Sequence, residues 1–246
     1  MDYVLSAELN KHLVRGIESG YNLYALERSE KRQTMRVSAA YAWVKGNHID
    51  DQVSRELENL GVNYQDDKAG YTWSYLQFSI PESKSLLLIK NATIIKSSSK
   101  QPELDVKNPD NYLVELSRIN SKVDFEELKP EYQGTMKFNE LMQDSLKEVQ
   151  NQIAVSEFDR FYIVTYAIEP NSRMLSNVSL WMPEFKQGSK VEMVRIDDLS
   201  PYLGNTGIEM NMEAIGALAN TPDSEFSGEA EEYGYSVAAK KAEENA

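Results

Sequence analysis

Residues Phe161–Ile168, FYIVTYAI, are apolar on both faces of an extended chain. Successive side chains of a strand point to opposite sides, so such a segment is stable only as a central strand covered above and below. This one segment therefore demands neighbouring strands and at least two packed layers. Its neighbours follow in sequence. Glu169-Pro170-Asn171-Ser172 reads as a turn into Met174–Met182, and Pro183–Lys190 as a loop into the strand Val191–Ile196. Together the three form a meander.

The N-terminal half shows a different period. Leu5, Leu9, Leu13 and Ile17 recur every four residues, which predicts a helix over 3–19 that stops at Gly20. Residues 33–46 alternate as a strand would, yet contain Ala39, Ala40 and Ala42, and read as helix. A further helix is expected from an Asn47 cap, with Ile49, Val53, Leu57 and Leu60 on one face and Gly61 ending it. Val62–Gln65 and Gly70–Ile80 flank turn-type residues 66–69, and Leu86–Ile95 supplies another strand. Beyond the loop-like Ser97–Pro109, two helices are expected: a short one at Tyr112–Ile119 and a strongly amphipathic one at Phe138–Ile153. The order lacks regular βαβ alternation, so the fold class is α+β with mainly antiparallel pairing. The domain is expected to span 1–203, with a sub-boundary near 97–110.

Composition limits what surrounds this core. The chain has no cysteine, so neither disulfides nor thiolate metal sites contribute. No apolar run approaches the roughly 18–20 residues that span a bilayer, and the N-terminus has no secretory pattern. The expectation is a cytoplasmic protein without a membrane. Net charge is −13. Residues 221–246 hold seven acids against Lys240 and Lys241, a net of −5 that leaves −8 for residues 1–220. With so few core formers, 204–246 is expected to be a flexible, disordered acidic tail.

Phosphate loops, dinucleotide fingerprints and nucleophile elbows are all missing from the sequence. With only His12 and His48, histidine-rich metal sites are excluded. His48 lies beside Asp50 and Asp51, but a helix terminus alone supplies neither nucleophile nor oxyanion donor, so it reads as a surface residue. One stretch, residues 47–96, resembles PD-(D/E)xK nucleases in outline. The resemblance places Asp67 as the first metal ligand and Lys90 as the lysine, with Leu88 where the second carboxylate belongs and Glu56 as a substitute. No metal or cofactor is expected.

Residues 11–45 are locally basic and interleaved with tyrosines; Arg28, Lys31, Arg32 and Arg36 are the candidate phosphate-binding residues. Tyr71, Trp73 and Tyr75 share one strand face and are the candidate protein-contact residues. The blocks AYAWVKGNHIDDQVSREL and FYIVTYAIEP, with LWMPEF and RIDDLSPYL, resemble uncharacterised proteins of Gram-positive bacteria and their phages. That implies a bacterial or phage setting and no particular activity. The leading expectation is a non-enzymatic interaction protein, such as a regulator or an accessory of a mobile-element, phage or defence system, with a protein partner. Nucleic-acid binding, on a degenerate nuclease-like core, is the alternative. A third is an acidic decoy that mimics DNA.

Overall fold

The computed structural model describes residues 3–69, 73–95, 103–104, 112–126, 128, 135–138, 157–186 and 190–219. The protein is α+β. Among the described residues four helices, α1 (Ala7–Thr34), α2 (Lys45–Glu58), α3 (Tyr112–Ser117) and α4 (Met212–Ala219), accompany eight strands. These are β1 (Asn63–Ala69), β2 (Trp73–Ile80), β3 (Ser85–Ile95), β4 (Glu103–Leu104), β5 (Thr135–Phe138), β6 (Arg160–Ile168), β7 (Leu175–Lys186) and β8 (Lys190–Asp198).

All eight strands join one sheet in the order β1-β2-β3-β5-β4-β8-β7-β6, and β6 also pairs with β3. The pairings thus close a circuit through β3, β5, β4, β8, β7 and β6, with the β1–β2 hairpin attached to β3. Pairing is antiparallel except at β3–β6 and β4–β5. The strands before and after 97–110 therefore share a single sheet. Segment 161–168 is indeed central, between β3 and β7.

Strand alternation sorts the core into two clusters. Phe78, Leu87, Ile89, Tyr162, Val164, Leu180 and Val194 face α1, α2 and α4. Leu86, Leu88, Phe161, Ile163, Trp181 and Met193 face α3. Buried Asn120, just after α3, bridges β6 and β7 where their ladder ends. It donates to Phe161 O and Pro183 O at 2.9 Å, and its Oδ1 accepts from Phe161 N at 2.7 Å. β7 consequently runs through Pro183, which the sequence reads as a loop. The missing N–H falls where no strand bond was available.

Four other expectations are corrected. α1 does not stop at Gly20 but continues to Thr34. A Cβ at Gly16 would lie 2.6 Å from Val53 Cα, and one at Gly20 would lie 2.5 Å from Ile49 Cα. These glycines let α2 pack directly on α1; they do not end a helix. Residues 33–46 form no continuous helix: a 3₁₀ turn at Ala39–Ala42 separates α1 from α2. α2 begins at Lys45 without a side-chain cap, so Asn47 lies inside its first turn. Residues 66–69 are strand, paired with β2 from Asp66↔Leu76 to Ala69↔Trp73. Inward hydrogen bonding of Asp67, described below, holds an aspartate pair where such residues usually mark a turn.

The ordered body also extends past 203. Glu18, 3 % exposed, accepts from Gly204 N at 2.7 Å and from the Thr206 hydroxyl. Ala214, Ile215 and Leu218 of α4 are buried in the core shared with α1. Residues 204–219 are thus part of the fold. The expected helix beyond Phe138, the 97–102 loop and residues 220–246 lie outside the described residues. Among the described residues no helix is long and apolar enough to cross a membrane.

Candidate functional site

The β2–β3 ladder spans only Phe78–Ile80 against Ser85–Leu87. Past it, Leu76 N–H is bonded by the Asp50 carboxylate of α2 at 3.0 Å rather than by β3. On the α3-facing side of this region the sheet carries a buried polar group within an otherwise apolar layer. Asp67 of β1 stands directly opposite Tyr75 of β2, and Gln77 follows on the same face by alternation. Gln77 Nε2 donates to Asp67 Oδ2 at 2.7 Å and to Tyr75 Oη at 2.9 Å. Tyr75 O–H donates to the same Asp67 oxygen at 3.3 Å.

Lys90 of β3 completes the group. Its Nζ lies 5.0 Å from the Tyr75 ring centroid and 6.0 Å from that of Tyr112 on α3. Its in-register neighbour on β6 is Thr165, whose Oγ1 accepts from Trp181 Nε1 at 2.8 Å. Asp67 and Gln77 are each 2 % exposed and Lys90 6 %. The Tyr75 hydroxyl is pushed far up by burial first, then by Tyr112 and the Asp67 charge; the Gln77 hydrogen bond and Lys90 oppose the shift. Tyr75 is therefore a neutral donor at any physiological pH.

The structure thus brings together two of the three nuclease-like residues and excludes the third. Asp67 and Lys90 share this cluster. Glu56 belongs to α2, on the opposite side of the sheet, where it bonds His12 Nδ1 at 3.0 Å and Arg15 Nε at 3.2 Å. Leu88, fully buried, packs in the α3-facing core. Two-carboxylate metal chemistry needs convergent acids, and Asp67 stands with an amide, a phenol and an ammonium instead. Among the described residues no group of three His, Asp or Glu side chains could hold a metal.

The basic segment is similarly dispersed. Arg28 is fully buried and donates through Nη1 to Ser38 O at 2.7 Å and Ser38 Oγ at 3.2 Å, so it is a structural clamp and no phosphate ligand. Arg32 donates to Ala217 O at 3.0 Å, fixing the end of α4. Lys31 pairs with Glu30 at 3.3 Å. Arg36 is exposed. His48 reaches across to Glu27 of α1 at 2.7 Å and not to its neighbouring aspartates. Of the aromatic triplet, Tyr75 is buried and so is no contact residue; Tyr71 and the Trp73 side chain lie outside the described residues.

Sequence reading misses Gln77, Thr165 and Trp181. A glutamine between Leu76 and Phe78 on an apolar strand was the available signal, since a buried amide needs a partner. The chain matches no family model, and comparison with curated proteins and with solved structures finds no match.

Proposed function

We propose that this protein is a non-enzymatic interaction protein that engages a protein partner, in a bacterial or phage cytosol. One observation carries the reading: the Asp67 carboxylate is bound by Gln77 and Tyr75 inside the fold, and among the described residues no group of three acids or histidines could hold a metal. A group held this way stabilises the sheet and offers no ligand set for hydrolysis. The dispersal of Arg28 and Arg32 into internal hydrogen bonds supports a protein partner over nucleic acid. On an acidic body, the cations left at the surface make a weak phosphate track. Plasmid incubation with Mg²⁺ or Mn²⁺ tests the first point. Wild type and Asp67→Asn are expected to be equally inert, and cleavage that the substitution abolishes would refute the reading.

A second reading, nucleic-acid binding on a degenerate nuclease-like core, is favoured by one specific feature. Asp67 and Lys90 do lie in one cluster, on adjoining parts of a mixed sheet with helices on both sides. Anisotropy titration of duplex DNA at low and physiological salt separates the two. The interaction reading expects no binding at physiological salt. Micromolar binding lost in a Lys31→Glu/Arg36→Glu variant would favour the second.

A further inference from the structure

β1 stands at the end of the sheet order, with β2 on one side and, among the described residues, no strand on the other. Which of its backbone groups face that open side follows from a single contact. Leu76 N–H donates to Asp50 Oδ2 at 3.0 Å, away from β1, so the Asp66↔Leu76 pair exchanges no ladder bonds. Bonded and unbonded pairs alternate along an antiparallel ladder. Asn63, Gln65, Asp67 and Ala69 therefore bond to β2, while Tyr64, Asp66 and Lys68 turn their N–H and C=O groups outward. The edge offers three donors and three acceptors in line. Exposed edges are commonly blunted by proline or a bulge, and β1 has neither a proline nor a break in register. Asn63, Tyr64, Gln65 and Asp66 are exposed, Tyr64 to 47 %.

We propose that this edge docks an extended basic segment of the partner protein, which joins the sheet antiparallel to β1, the more stable pairing. The inference rests on the protein-partner reading and names the chemistry of its contact. Backbone bonds give such a contact its affinity, and alternate side chains give it selectivity. The charge at this edge is acidic: from 58 to 67 the chain holds Glu58, Asp66 and Asp67 and no lysine or arginine. Asp67 is turned inward and bonded by Gln77. Tyr64 and Asp66 share the opposite face by alternation, the face toward α2. There the Tyr64 hydroxyl donates to Glu58 of α2 at 3.4 Å, and Asp66 is open to solvent. An incoming strand meets acids on that face, which selects lysine or arginine opposite Tyr64 and Asp66. A second copy of β1 fits poorly. The antiparallel register that uses every outward residue, 64↔68, 66↔66 and 68↔64, sets two Asp66 carboxylates directly opposite each other.

The test titrates the full chain, isotope-labelled for amide NMR, with a short peptide of alternating lysine and valine. Saturable shifts are expected at the amides of 64, 66 and 68, whose hydrogen exchange should slow several-fold. A glutamate–valine peptide should bind about ten-fold more weakly, and so should the lysine–valine peptide N-methylated at its lysines, which blocks the bonded edge. Asp66→Pro removes an outward N–H and no β1–β2 bond, so the fold should persist by circular dichroism while binding weakens to a similar extent. Asp66→Asn keeps that N–H and should narrow the preference for lysine over glutamate. The N-methylated peptide makes the backbone test on the unaltered protein, whatever the proline does to folding. No saturable shift at about 2 mM lysine–valine peptide would overturn the proposal, as would equal binding of its N-methylated form. Shifts confined to amides away from β1 would overturn the edge assignment yet leave the protein-partner reading intact, since DNA titration tests that separately. Protection at 64, 66 and 68 that rises with protein concentration alone would place a second copy on the edge and also overturn the proposal.

Discussion

Gly20→Ala is the most informative single substitution in this fold. Helix propensity alone favours alanine over glycine inside a helix by about 1 kcal/mol, so at an open site the change would stabilise. The packing of α1 on α2 opposes it. The new Cβ would lie 2.5 Å from Ile49 Cα, 2.6 Å from His48 O and 2.8 Å from Ile49 N. All three are backbone atoms that no rotamer change can move. Reaching ordinary contact at 3.4 Å requires α2 to retreat by at least 0.9 Å, the difference between 3.4 and 2.5. That shift would loosen Ile49, Val53 and Leu57, each at most 1 % exposed. Overpacking of this kind costs roughly 3 kcal/mol or somewhat more. After the propensity gain, the net destabilisation should be about 2 kcal/mol, or about 4–8 °C in melting temperature for a chain of this size. The matched control is Gly216→Ala in α4, where an added Cβ meets nothing within 4 Å; it should be neutral or stabilising by up to about 1 kcal/mol. Urea denaturation of both variants reads the difference. Equal or greater stability in Gly20→Ala would show that the two helices are not in backbone contact.

Two further outcomes follow from the same geometry. Asn120→Ala leaves Phe161 N–H, Phe161 C=O and Pro183 C=O buried without their partner, and is expected to cost roughly 3 kcal/mol; a loss below about 1 kcal/mol in urea unfolding would mean that water replaces the amide. The Asp51 carboxyl is held below its ordinary value of 3.8, chiefly by its hydrogen bond with Arg55. Its stabilising contribution is therefore complete above that value and disappears as pH falls through the lowered native one. Carbon-detected titration should show Asp51 rising toward the ordinary value in Arg55→Gln. The stability gap between wild type and that variant should close in acid.

The sequence alone determined much of the framework, because periodicity records which side chains meet water and which do not. The α+β class, the central position of 161–168, strand β3 and the apolar faces of α1 and α2 all follow from local pattern. Glycine at 20 shows the limit of such reading. A helix stop and a site of close helix contact carry the same residue, and only α2 lying against it distinguishes them. The Asp66-Asp67 pair is similar: locally a turn, it became strand once Tyr75 and Gln77 supplied partners eight and ten residues away. Pro183 sits within β7 because Asn120, 63 residues earlier, takes the place of the strand bond.

The candidate site divides along the same line. Lys90 was legible as a polar position on a strand whose alternation fixed its face, whereas Asp67 read as part of a turn. What tertiary structure alone decided was that Glu56 belongs to the opposite layer, that Arg28 is buried against Ser38, and that the Asp67 carboxylate is satisfied from within. One-dimensional spacing sets the face a side chain occupies. Whether that face meets solvent, an acid or an amide depends on which distant strand closes over it. Here that was settled by the parallel pairing of β3 with β6, segments separated by more than sixty residues of chain.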